Sequence, residues 1–199
     1  LSHPNIVAHV SHGATERGDP YLAMEWLRGQ DLRDRLEGDG VTLRESLALT
    51  RAVAEALSVA HLRGIVHRDI KPGNLFVVDD DMSRIKVLDF GIARFAQASL
   101  DGTQSGALVG TPNYMSPEQA RGEVDIDGRA DVFSLGCVLF ECLTGRPPFV
   151  ANTLVAVLAK ILLEDVPRLG ELIDEVDPRL EELVARTLAK DADHRLQDM

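Results

Sequence analysis

Lysine is nearly missing from this chain: there are four among 199 residues, Lys71, Lys86, Lys160 and Lys190, and none before Lys71. Acidic residues outnumber basic ones 32 to 21, for a formal charge of −11. Such a surface repels phosphate backbones and anionic lipid, which argues against a nucleic-acid partner. Cysteine is scarce too. Cys137 and Cys142 share one apolar stretch in which a helix would point them apart, so no disulfide is expected and a reducing compartment fits. Long hydrophobic runs are absent: the longest, Val132 to Leu143, is broken by Ser134 and Glu141 and is too short to span a bilayer. It is expected to be a buried helix. No charged segment precedes an apolar run at the start, so no signal peptide is visible. Leu1 in place of Met leads us to expect a piece of a longer chain.

What is present is a globular composition, 45% apolar and 27% charged, enough for one or two domains. Ile6 to Val10 and Tyr21 to Trp26 carry strand signals on either side of a turn-rich stretch, which predicts an antiparallel pair. Thr42 with Glu45 is a capping box, and Leu49, Val53, Leu57 and Ala60 recur at helical spacing up to Gly64. Leu75 to Val78 and Ile85 to Leu88 flank Asp79-Asp80-Asp81 and predict a hairpin. Residues 92 to 127 keep no period and predict a long loop of the functional or mobile kind. Three helices are expected after it, over Ala130 to Thr144, Thr153 to Leu163 and Pro178 to Ala189. The last should bury Leu180, Leu183, Val184, Thr187 and Leu188.

The residues that carry chemistry cluster at the ends of these elements. His67-Arg-Asp-Ile-Lys-Pro-Gly-Asn74 lies between the long helix and the hairpin, and Asp89-Phe90-Gly91 follows the hairpin. Asn74 and Asp89 offer oxygen ligands suited to a hard cation such as Mg²⁺ shared with phosphates. Lys71 supplies a compact positive charge for a phosphoryl group, and Asp69 can accept or orient the proton of an attacking hydroxyl. Each motif alone is an ordinary turn or cap. Their order and placement together are what make them specific. His3, His9 and His12 lack a Cys or carboxylate at ligand spacing and are expected to be structural or solvent-facing.

The sequence resembles the protein kinases, in particular bacterial serine/threonine kinases of eukaryotic type, and the likeness runs through almost the whole chain. It rests on Leu1-Ser-His-Pro-Asn-Ile-Val7, Met24-Glu-Trp-Leu27, the segment from His67 to Asn74, and Asp89-Phe-Gly91. It continues through Gly110-Thr-Pro-Asn-Tyr-Met-Ser-Pro-Glu118, Asp131-Val-Phe-Ser-Leu-Gly136 and Arg195. The resemblance implies an α+β fold, a mainly helical lobe with two remaining strands of a sheet lobe. Residues 1–27 would be the end of the sheet lobe and hinge. Residues 28–199 would be the helical lobe, with the catalytic loop at 67–74 and the activation segment at 89–118. It implies transfer of the ATP γ-phosphoryl group to protein Ser or Thr with Mg²⁺, in the cytoplasm, any membrane anchor lying outside this chain.

Residue roles follow from the same resemblance. Asp69 is similar to the catalytic Asp, Lys71 to the loop lysine on the γ-phosphate, and Thr111 to the threonine that braces both. Asn74 and Asp89 are similar to the metal ligands. Met24 resembles the gatekeeper, Glu25 and Leu27 the hinge contacts to adenine, Asp31 the residue near the ribose, and Leu75 the residue under the adenine ring. Arg68 resembles the arginine that pairs with a phosphorylated activation-segment residue, with Ser99, Thr103 and Ser105 as candidates. Asp131 is similar to the helix Asp that holds the catalytic loop, and Glu118 with Arg195 to a buried ion pair. Phe90 and Gly91 complete the metal-ligand motif. Ala192 stands where a proline is expected.

The same family uses a glycine-rich loop, a strand lysine and a helix glutamate to hold the nucleotide. None is found here, and the layout implies that about fifty to sixty residues precede Leu1 in the parent. These 199 residues alone are therefore expected to be inactive or nearly so. Two other functions share part of this pattern. A pseudokinase-like binding module would explain the missing lysine. An aminoglycoside-type phosphotransferase would share the His-x-Asp-x-x-x-x-Asn loop but not the segment from Gly110 to Glu118.

Overall fold

The computed structural model describes residues 1–90 and 112–199. In chain order it places β1 (His9–Ala14), β2 (Pro20–Met24), β3 (Gly29–Asp31), α1 (Leu32–Glu37), α2 (Leu43–His61), β4 (Leu75–Val78) and β5 (Ile85–Val87). Beyond residue 111 come α3 (Pro117–Ala120), α4 (Arg129–Thr144), α5 (Leu154–Leu163) and α6 (Pro178–Thr187). The capping box at Thr42 forms, with the Glu45 amide donating to Thr42 Oγ1 at 3.3 Å and the Thr42 amide donating to Glu45 Oε2 at 2.7 Å. Two amides that a helix start leaves without partners are thereby satisfied. From that cap α2 runs for 19 residues and buries Leu49, Val53, Ala56, Leu57 and Ala60 on one face.

Helix α4 sits between two cores. Leu135, Val138 and Cys142 face a cluster built from α2, β4 and β5, whereas Phe133, Cys137 and Phe140 face a second built with Phe149, α5 and α6. A helix apolar on every face is stable only when both sides are covered, and α4 is buried without a break from Ala130 to Phe140. Helix α6 approaches it at Gly136, where a Cβ would meet Thr187 Oγ1 at 2.6 Å. Gly145 ends α4 in the left-handed region, φ 76°, its amide donating to Glu141 O at 2.8 Å. That conformation is open to glycine without the steric cost other residues meet.

Three details differ from expectation. The first strand begins at His9, not Ile6. Ile6 is instead 4% exposed and forms a parallel bridge with Val87, flanked by Val7 N to Val87 O at 3.0 Å and Val87 N to Asn5 O at 2.8 Å. Residues 5–7 thus extend the hydrogen-bonded edge of the hairpin. The hairpin also has a third member, β3, which pairs antiparallel with β4 from Gly29↔Val78 to Asp31↔Phe76. Gly29, Gln30 and Asp31 show no period, and only the partner strand makes them a strand. In α6, Val184, Thr187 and Leu188 are buried, but Leu183 is 38% exposed. The β1–β2 ribbon leaves Val10, Tyr21 and Leu22 exposed, and Trp26 just after it is exposed as well, as a pair of strands without a covering layer must be.

Candidate active site

The segment from His67 to Asn74 is shaped by one buried carboxylate. Asp131 stands in the first turn of α4, where the helix dipole favours a negative charge, and has no exposed surface. Its Oδ2 accepts the His67 amide and its Oδ1 the Arg68 amide, both at 2.8 Å. His61, at the end of α2, adds an Nε2 contact to Oδ2 at 2.8 Å. Arg68 is held at φ 68°, a strained region for a residue with a side chain. Gln119 secures the other side by donating to Arg68 O at 2.7 Å. The Arg68 side chain reaches Ile126 O at 3.4 Å.

His67 is a packed residue, 1% exposed. Its Nε2 donates to Leu88 O at 2.7 Å while its Nδ1 accepts the Asp69 amide at 3.2 Å, so one neutral tautomer satisfies both nitrogens. The ring meets Phe90 edge-on at 4.8 Å. These contacts tie the loop to the end of β5, and the Leu88 amide donates to Asn74 O at 2.9 Å. Asp89, next in line, sits at φ 56°.

Three side chains then converge. Lys71 Nζ lies 2.7 Å from Asp69 Oδ2, and Asn74 Nδ2 donates to the same oxygen at 2.9 Å and to Asp69 O at 2.7 Å. Asn74 therefore uses its amide nitrogen inward, and its Oδ1 and the Asp89 carboxylate take no hydrogen bond among the described residues. Two open oxygen donors next to a lysine fit a hard cation that shares its shell with phosphate. No three His, Cys, Asp or Glu side chains gather as a metal cage among the described residues.

On the far side of the hairpin, Glu25 Oε1 accepts from the Ala8 amide at 2.8 Å and from Lys86 Nζ at 2.6 Å. The Lys86 ammonium, followed by that amide, holds the Glu25 carboxyl below its usual range. The Leu27 backbone N–H and C=O have no hydrogen-bond partner among the described residues. Asp31 caps α1 by accepting the Asp34 amide at 3.0 Å, and Met24 is 38% exposed opposite His9 in β1.

Leu75 does not fit its expected place. It has no exposed surface and points into the core with Leu32, Leu49 and Leu57. Alternation along β4 turns its neighbour Phe76 to the opposite face, where it is half-buried between Asp31 and Lys86. Phe76 is the residue of β4 that can meet a planar ligand.

Glu118 and Arg195 form a buried, two-pronged pair, Nη1 to Oε1 at 2.8 Å and Nη2 to Oε2 at 3.1 Å. Arg195 also donates to Arg129 O at 2.6 Å and Ala189 O at 3.0 Å. Gly91, Ser99, Thr103, Ser105 and Thr111 lie outside the described residues. His61, Gln119, Lys86 and Phe76 escaped the sequence reading. The histidine was detectable as a polar residue closing an apolar helix face, and the others carry no local signal.

This chain belongs to the protein kinase family, whose protein kinase domain matches residues 1–198. The serine/threonine-protein kinase PknB of Mycolicibacterium smegmatis is 42% identical over 202 residues, covering 99% of this chain and 32% of the relative. A probable serine/threonine-protein kinase PknB of Bifidobacterium longum is 39% identical over 205 residues, covering 98% and 29%. Among solved structures, Rad53 1-466 in complex with AMP-PNP superposes with a TM-score of 0.80 at 27% identity, covering 98% of this chain and 48% of that one. The chain spans about a third of the length of the curated relatives it matches. The α+β kinase architecture expected from the sequence is the one observed. No helix among the described residues is long and apolar enough to cross a membrane.

Proposed function

We propose that this chain carries the phosphoryl-transfer end of a serine/threonine protein kinase that uses ATP and Mg²⁺. The observation that carries this reading is the convergence of Lys71 Nζ and Asn74 Nδ2 on Asp69 Oδ2, at 2.7 and 2.9 Å. Asp69 orients the substrate hydroxyl and takes its proton as the oxygen bonds to the γ-phosphorus and the bond to the ADP oxygen breaks. Lys71 balances charge on the transferred group. Asn74 Oδ1 and the Asp89 carboxylate would hold the metal, which when bound neutralises the phosphate oxygens.

Asp131 acts one step removed, fixing the backbone from which Asp69 projects. Residues 24–31 with Phe76 form the adenine side, the open Leu27 backbone groups being suited to a purine edge. Residues 1–27 serve as the end of a sheet lobe, Thr111 and the candidate phosphoacceptors Ser99, Thr103 and Ser105 belong to the activation segment, and Arg68 is the partner for a phosphorylated one. The acidic surface supports a protein rather than a nucleic-acid partner, and the need for ATP supports a cytoplasmic catalytic domain. In isolation these residues lack any lysine before Lys71 to grip the α and β phosphates, so transfer by them alone is weak or absent.

The test is Mg-ATP-dependent phosphorylation of protein Ser or Thr by the complete polypeptide that contains this chain. Asp69→Asn should lower kcat by at least about a hundredfold. Undiminished transfer by that variant overturns the assignment.

A further inference from the structure

Gly73 stands between Lys71 and Asn74, and a Cβ on it would clash with Nη2 of Arg33. Arg33 follows the fully buried Leu32 in α1, whose first turn is capped by Asp31. Its backbone is thus anchored while its side chain lies exposed across the catalytic loop. Arg35, two positions on, is held by Asp39 at 3.0 Å and Glu45 at 3.9 Å. Arg33 has no hydrogen bond or ion pair among the described residues. Glu141 of α4 is close enough to feel the Arg33 charge but forms no ion pair with it, and its Oε2 already accepts the Tyr114 hydroxyl at 2.7 Å.

We propose that Arg33 is a specificity-determining residue whose guanidinium recognises an acidic side chain of the protein substrate near the phosphorylated Ser or Thr. The inference rests on the kinase assignment above and adds the charge class of the substrate. A guanidinium presents a planar fork that matches a carboxylate with two parallel hydrogen bonds. Gly73 is what lets that fork lie against the loop. The chain's net charge of −11 acts the other way, favouring basic peptides at long range. Within about 8 Å, roughly one Debye length at physiological salt, the local cation dominates. The two effects therefore predict opposite orders of peptide binding.

The experiment uses fluorescence anisotropy of three labelled peptides, each with one Thr flanked by Glu, by Ala or by Lys, added to the complete polypeptide that contains this chain, with Mg-ADP. The Glu peptide should bind about threefold to tenfold tighter than the Ala peptide, and the Lys peptide weakest. Arg33→Ala should erase the Glu preference with Ala-peptide affinity unchanged, and Arg33→Glu should reverse the order. Arg33 is an exposed helix residue, so circular dichroism should confirm that both variants fold. Equal binding of Glu and Lys peptides, a Glu preference that survives Arg33→Ala, or no binding of any peptide overturns the proposal. None of these bears on the kinase assignment, which is decided by phosphoryl transfer in Asp69→Asn.

Discussion

Asp131 accepts the backbone amide of Arg68 at 2.8 Å and so holds it at φ 68°, across 63 positions of sequence. The same carboxylate accepts the His67 amide and meets His61. Asp131→Ala strands two buried amides and should destabilise the chain by about 2–4 kcal/mol. In hydrogen exchange the His67 and Arg68 amides should lose more protection than α4 does. Equal loss everywhere would mean Asp131 supports only the global fold.

Glu118 and Arg195 make the second long-range tie. Removing one partner leaves a buried charge alone, so Arg195→Ala should cost about 3–5 kcal/mol in urea denaturation, and Arg195→Met, which removes the charge but keeps the bulk, should also leave Glu118 unpaired. Burial works to raise the Glu118 carboxyl, but the Arg195 contacts outweigh it and hold it below its usual range. The pair's contribution is therefore present above the ordinary glutamate value and is lost as pH falls through the lower folded one. Glu118→Gln should flatten the acid limb of the stability curve.

Cys137 and Cys142 should be inert in the folded chain. Burial raises both thiols, Cys142 up to about 12 and Cys137 further, and the reactive species is the thiolate. At pH 8 a thiol-disulfide dye should label neither faster than the chain unfolds. In urea both should react at once, and rapid labelling without denaturant would contradict the burial of the inner faces of α4.

Lys190 should give an alkaline slope. Its Nζ donates to Ile161 O at 2.7 Å and lies 3.9 Å from the Phe149 ring centre, and burial lowers its pKa to about 8. An unfolded lysine keeps its proton to about 10.4. Between those values the unfolded chain binds more protons, so stability should rise with pH through this window. Above about pH 10 the raised pKa of Tyr114 opposes the trend, since the folded chain then holds that proton longer. Lys190→Met should remove the rise between pH 8 and 10, as measured by urea midpoints.

Much of the helical part was legible locally. The Thr42–Glu45 cap, the left-handed Gly145 and the all-round apolar α4 are each decided by residues within a turn or two, where sequence and energy are read on the same scale. The ordered motifs likewise pointed to Asp69, Lys71, Asn74 and Asp89 because loop chemistry needs those residue types whatever surrounds them. Leu75 was misjudged for the opposite reason. In a four-residue apolar strand both faces look alike, and only the core under β4 decides that Leu75 turns inward and Phe76 outward.

The sequence by itself determined most of the elements, which residues are chemically able to act, and that no lysine stands before Lys71. Tertiary structure decided what joins them. Residues 5–7 complete the edge of β5, Gly29–Asp31 become a strand on β4, His61 reaches Asp131, and Arg33 comes to rest on Gly73. Each of these contacts links positions too far apart for any local period to record. They form because a buried amide, carboxylate or strand edge without a partner costs more than the chain entropy spent in supplying one.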